Sequence, residues 1–227
     1  MRKIIAILFM LAGVALIGYP SGKQLYSDYM QKKIIREWER GQEVNQDAFD
    51  SFGQLGDIFV KAEPLDETPE MVISSQSYSS GITTKSDKAS RPAPQDGQML
   101  GTIEIKRINI RLPILEGATQ KSMKTGAGHL AGTPYPGQPG NSAIAAHRSR
   151  AFGKMFNRLG EVKVGDIIVV KDRNNTYKYK VYERLIVTPD DTAVLKGNGQ
   201  DSLLTLITCD PVDTATHRLI IHAKMVP

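Results

Sequence analysis

"GTIEIKRI", Gly101 to Ile108, alternates apolar and polar side chains. That is the period of a strand with one face in a core. The runs that follow keep this character: "RLPILEG", "NSAIAAH", "DIIVVK", "YKYKVYERLIV", "LLTLITC" and "RLIIHAKMV". Clusters of Gly, Pro, Asn and Asp separate them, and "GTPYPGQPGN" and "KDRNNTYK" are the strongest turns. A short helix is expected at Phe152–Leu159, and another after "TPDDTAVL", where Thr188 and Asp190 are candidate caps. Seven or more short strands with little helix predict an all-β barrel or sandwich over residues 99–227.

Upstream of this domain the composition changes. Ser74–Gln98 is rich in Ser, Thr, Gly and Pro and buries too little apolar surface to offset its ordering entropy. Residues 61–98 are therefore expected to be a flexible linker. In Lys23–Arg40, Tyr26, Met30, Ile34 and Trp38 recur every four residues among charges. This is the pattern of an amphipathic helix, either a stalk spanning 23–60 or a helix packed on its own domain. "MRK" precedes the uncharged run Ile4–Tyr19, and no small-x-small cleavage site follows it. Residues 1–22 are expected to form an uncleaved membrane anchor. Arg2 and Lys3 would stay in the cytoplasm, with the remainder of the chain outside, facing the cell wall.

The chain has 227 residues and a net charge of +5, without a block of like charges or a basic–aromatic stripe. That argues against a nucleic-acid partner. It has a single cysteine, Cys209. A lone cysteine in an exported protein is a buried inert thiol, an intermolecular link or a reactive nucleophile. In an extended segment Leu203, Thr205, Ile207 and Cys209 share a face, and Asp210-Pro211 ends the run. The thiol is thus the last side chain on its face, a position suited to a nucleophile on a rigid support.

A cysteine nucleophile needs a proton partner, normally histidine. Of the four histidines, His147 ends "NSAIAAH", with Ala143 and Ala145 leaving room on its face. His129 lies in the Gly-rich "TGAGHLAG", and His222 lies inside the last strand pattern. Arg218 opens that strand nine positions after Cys209, so a hairpin-like return would bring it beside the thiol. If Arg218 faces Cys209, the adjacent His217 does not. A guanidinium there would stabilise the anionic intermediate of acyl transfer.

These residues carry a resemblance to a known family. "TLITC", Thr205–Cys209, resembles the TLxTC motif of sortases, the cysteine transpeptidases of Gram-positive surfaces. "AIAAHRS" resembles their histidine segment, with Ala146 where glycine is usual, and "RLIIHAK" resembles the strand of their essential arginine. "GAGHLAGTPYPGQPGN" resembles the loop before the histidine strand, and the ending soon after the last strand is most similar to class D. The resemblance implies an eight-stranded β-barrel with Cys209 as nucleophile, His147 as acid/base and Arg218 as oxyanion group. It implies that Ala145, Ile207 and Thr208 contact an LPxTG-like sorting signal cleaved after Thr, and that a cell-wall amine resolves a thioacyl intermediate. It implies no cofactor. Asp190 and Asp191 are read as helix caps, not metal ligands. Alternatives are a pilin-polymerising enzyme using a lysine amine and a non-enzymatic exported β-barrel binding module. A papain-like protease does not fit, because Cys209 is late in the chain and in a strand pattern.

Overall fold

Alternation converts directly into a closed sheet. The computed structural model describes residues 10, 29–41, 94–148 and 155–227. Eight strands form the barrel: β1 (Met99–Ile105), β2 (Ile110–Glu116), β3 (Ala127–His129), β4 (Gly140–Ala145), β5 (Ile167–Lys171), β6 (Thr176–Val187), β7 (Ser202–Asp210) and β8 (His217–Val226). Their order around the barrel is β1-β2-β3-β4-β7-β8-β6-β5, closing on β1. The pairings β2–β3 and β4–β7 are parallel. Closure removes the unpaired edges of an open sheet.

The barrel interior takes every second residue. Ile103 and Ile105, Leu112 and Ile114, Ile168 and Val170, Leu204 and Leu206, and Leu219 and Ile221 pack there with Phe156 and Tyr179. The odd-numbered partners in β7 and the even-numbered ones in β8 face outward, where Ile207 and Ile220 join Ala143 and Ala145 in a second apolar cluster. β6 serves both clusters. Val181 opposes Ala223, but Glu183 opposes His222, so Tyr182 is an extra residue in a bulge. The bulge reverses facing: Tyr179 and Val181 point into the core, while Leu185 and Val187 join the outer cluster.

Short helices fill the connections. Helix α2 (Gln120–Thr125) is capped by the Thr119 hydroxyl, which accepts from Ser122 N. The turn expected at Phe152–Leu159 is a 3-10 segment at Phe156–Glu161. The one expected after Thr188 is a 3-10 turn at Thr192–Leu195, capped by Asp191, one of the two acids read as caps, and not by Thr188 or Asp190. Residues 29–39 form helix α1. Its apolar side is packed on the barrel: Ile34 sits against Leu115 and Met99, and Arg111 pairs with Glu39. Residues 23–28 and 42–60, and the 61–98 stretch before residue 94, lie outside the described residues.

The expected single-pass placement in a membrane is corrected. Among the described residues no helix is long and apolar enough to cross one. The segment on which that expectation rested lies outside the described residues, Met10 apart.

Candidate active site

The sequence candidates lie on β7, on β8 and just past the end of β4. β7 and β8 pair antiparallel with Cys209 directly opposite Arg218 and Asp210 opposite His217. Directly opposed residues share a face, with Cβ atoms about 4.5–5.5 Å apart. The hairpin return therefore puts the guanidinium, and not His217, on the side of the thiol. On the other flank β4 runs parallel to β7, with Ala143 beside Thr205 and Ala145 beside Ile207. The pairing continues past β4: Ala146 N donates to Ile207 O at 3.2 Å, and the Thr208 hydroxyl donates to Ala146 O at 2.8 Å. His147 is the next residue along the chain, just past the end of β4.

Below this end lies an apolar cluster. Ala143, Ala145, Ile207 and Ile220 are buried in it, and Leu185, Val187, and Val194 and Leu195 of the β6–β7 loop pack against them. Ala145 and Ile207 both belong to this cluster. Thr208 is 2% exposed and its hydroxyl donates to Ala146 O, so it fastens the two strands together.

The loop that packs against this cluster is held from beneath. Asn141, buried in β4, donates from Nδ2 to Val194 O at 3.1 Å and Lys196 O at 3.4 Å. Its Oδ1 accepts from the Thr205 hydroxyl at 2.8 Å, and that hydroxyl contacts His222 Nδ1 at 3.0 Å. The sequence patterns pointed to none of this chain. Each polar residue sits at an apolar position of its strand, which is the only signal it leaves.

The electrostatics of the trio are set by burial. Desolvation, and then the nearby Lys124 ammonium of α2, push the His147 imidazole below its ordinary value. Burial depresses Lys124 itself. Arg218 donates from Nη1 to Ala215 O at 2.8 Å and His217 O at 2.9 Å. Part of its fork thus braces the β7–β8 turn, and a guanidinium carries further N–H donors. Cys209 is a half-buried free thiol. A thiol, an imidazole and a guanidinium are the types of group that can serve acyl transfer as nucleophile, proton carrier and anion stabiliser.

Two other histidines, His129 and His222, are buried among structural partners. His129 is 1% exposed, with Nδ1 on Glu116 at 3.1 Å and Nε2 on Pro134 O at 3.1 Å, stacked by Tyr135. His222 lies under Tyr182, and its imidazole is depressed by burial. Among the described residues no group of three or more His, Cys, Asp and Glu could hold a metal ion.

Comparison with known proteins points to one family. A family model for the sortase domain matches residues 103–226. Sortase D of Bacillus subtilis (strain 168) is 26% identical over 232 residues, covering 100% of each chain. Sortase A of Bacillus anthracis is 29% identical, covering 99% of this chain and 94% of that protein. Among solved structures, a Clostridium perfringens Sortase D5 transpeptidase is similar with a TM-score of 0.54 and 29% identity, over 59% of this chain and 82% of its own. A lid mutant of Sortase A from Corynebacterium diphtheriae is similar with a TM-score of 0.56 and 32% identity, over 60% and 74%.

Proposed function

The chain belongs to the sortase family of cysteine transpeptidases, and from that premise we propose that it cleaves an LPxTG- or LPxTA-like sorting signal after Thr and transfers the new carboxyl end to an amine of the cell wall. The relatives named Sortase D favour a class D assignment within the family. One observation carries the reading. Cys209 and Arg218 are directly opposed across β7 and β8, and His147 follows the end of β4, which runs parallel to β7 beside an apolar cluster.

The division of labour follows from chemistry. The apolar cluster around Ala145 and Ile207 takes the Leu-Pro part of the signal, and the fixed φ of proline reduces the entropy lost on binding. The Cys209 thiolate attacks the Thr carbonyl carbon. Arg218 stabilises the oxyanion of the tetrahedral intermediate. The His147 imidazolium gives its proton to the leaving amine as the C–N bond breaks, leaving a thioester on Cys209. The incoming amine then attacks the thioester, neutral His147 takes its proton, and the thiolate departs.

The test is incubation of the full chain with LPxTG- and LPxTA-type peptides, with and without a diamino acceptor, followed by product mass. Cys209-dependent cleavage with the acceptor incorporated is expected. Hydrolysis alone would remove the transfer step, and no cleavage by a folded protein with an unreactive thiol would favour the binding-module alternative.

A further inference from the structure

One residue beyond the proposed reacting pair on each strand lies a second pair of opposite chemistry. Arg148 follows His147 and Asp210 follows Cys209. The Arg148 guanidinium forms an ion pair with the Asp210 carboxylate and donates from the same Nη1 to Cys209 O at 3.2 Å. Both side chains are largely withdrawn from water, with 14% and 22% exposure. The seat has a third wall. Arg148 Nε reaches Asn157 O at 3.5 Å, and a Cβ added to Gly160 would stand 3.1 Å from Nη2. Glycine there leaves room for the guanidinium against the Phe156–Glu161 turn.

The position of this fork matters because the backbone ladder runs out just before it. Among the described residues the last backbone bond between β4 and β7 is Ala146 N to Ile207 O. Past it, His147 O accepts from Phe156 N at 3.1 Å, which ties the histidine to the next turn and not to the cysteine strand. The link from the His147 side back to Cys209 is the Arg148 side chain. It bonds the carbonyl of Cys209 itself and the carboxylate one residue on. The guanidinium holds these acceptors from Nη1 while its Nε faces Asn157 O, a fixed spread over two nitrogens that an ammonium, with one, cannot match.

We propose that Arg148 and Asp210 are positioning residues that lock the ends of β4 and β7 so that the imidazole of His147 stays in register with the thiol of Cys209. The proposal rests on the assignment of Cys209 and His147 as the reacting pair. It assigns Arg148 a role distinct from that of Arg218: it touches the backbone of the nucleophile rather than the substrate.

The experiment is steady-state turnover of a signal peptide by Arg148→Ala, Arg148→Lys, Asp210→Asn, Asp210→Ala and the double alanine variant of the full chain. Misplacing a reacting group by about 1 Å costs about 100-fold, so Arg148→Ala is expected to lower kcat about 10- to 100-fold. KM should stay within about two-fold, because the apolar cluster is untouched. Arg148→Lys should recover only part of the loss, and Asp210→Asn, which keeps an acceptor, should lose least. The double variant should be no slower than Arg148→Ala, because members of one coupled unit are not additive. Kinetics of folded variants within two-fold of wild type, a loss confined to KM, or additive losses would overturn the proposal. Should Arg148→Ala not fold, Arg148→Lys and Asp210→Asn decide it on the same criteria.

Alkylation of Cys209 by iodoacetamide, on the same variants and on His147→Ala, separates this idea from the assigned function. Absence of peptide cleavage by wild type would defeat the function alone. The clamp then stands if Arg148→Ala reproduces the slowing caused by His147→Ala. It falls if the two differ or if neither variant slows the reaction.

Discussion

Replacing Asn141 by alanine should weaken substrate capture and spare the chemistry. The amide is oriented without ambiguity, since Val194 O and Lys196 O can only accept and so face Nδ2. Oδ1 must then accept the Thr205 proton, at 2.8 Å. With that proton spent, Thr205 Oγ1 accepts from His222, which therefore carries a proton on Nδ1. Gly197 completes the seat: a Cβ there would stand 3.0 Å from Asn141 N, so the loop lies directly on β4. In Asn141→Ala, Thr205 can turn to Val194 O, already at 3.4 Å, and exposed Lys196 can find water. What is lost is about one net buried hydrogen bond plus the tether, about 1–2 kcal/mol. If binding must restore the loop, KM rises about 5- to 30-fold, since about 1.4 kcal/mol is ten-fold. kcat should stay unchanged, because the reacting end is six residues along the strand from Asn141. Asn141→Asp should be worse, as it sets a buried carboxylate against two carbonyl oxygens. The assay is initial-rate cleavage of a quenched fluorescent signal peptide, with a urea unfolding curve beside it. A fall in kcat at constant KM would refute the reasoning. So would wild-type kinetics in a protein that is merely less stable, which would leave Asn141 no part in shaping the apolar cluster.

Turnover by wild type should follow a bell-shaped pH–rate profile, because it needs a protonated His147 and an ionised Cys209 together; a flat profile between about pH 6 and 9 would contradict the paired mechanism. Arg218→Ala should lower kcat by about 100-fold or more, and Arg218→Lys should recover little of it; near-wild-type turnover would remove the oxyanion role. Stability should fall on acidification. His147 and His222 both have folded-state values below the ordinary 6.5, so the unfolded chain binds protons first as the pH drops through that value, and stability is lost until the folded values are reached. Urea midpoints from pH 7.5 to 5 check this, and His147→Gln should flatten the slope. Gly101→Ala should destabilise by about 2–3 kcal/mol, because the new Cβ would stand 2.2 Å from the backbone oxygen of Lys171, where β1 crosses β5; an unchanged midpoint would show that the bulge at Met99–Gly101 can relax.

The strands were legible wherever alternation was clean. "GTIEIKRI" and "LLTLITC" give both the element and its facing, and the facing put Cys209 and Ile207 on one side before any contact was known. β6 shows the limit. "YKYKVYERLIV" reads as one uninterrupted run, yet the bulge at Tyr182 swaps its faces midway. Strict alternation through it would send Leu185 and Val187 into the barrel and away from the outer cluster. β3 was hidden for a different reason. Ala127–His129 is only three residues long and lies in a Gly-rich stretch, and a short parallel pairing to β2 leaves no periodic trace. The same holds for Arg148. In "HRSR" it reads as a surface cation, and only the parallel juxtaposition of β4 and β7 reveals the Asp210 carboxylate waiting 62 positions on.

Burial at this site works for binding and against proton transfer. The burial that would favour an apolar part of the proposed signal also strips water from His147 and depresses its imidazole, and Lys124 adds to that effect. At neutral pH the imidazolium is then a minor form, and only the fraction that also carries a thiolate reacts. Removing the cation should enlarge that fraction. Lys124→Met, which keeps the apolar stem, is expected to move the His147-dependent limb of the profile upward and to raise turnover on the alkaline side. The direction is fixed by Coulomb's law, so a downward shift would mean that Lys124 acts on His147 through packing and not through charge.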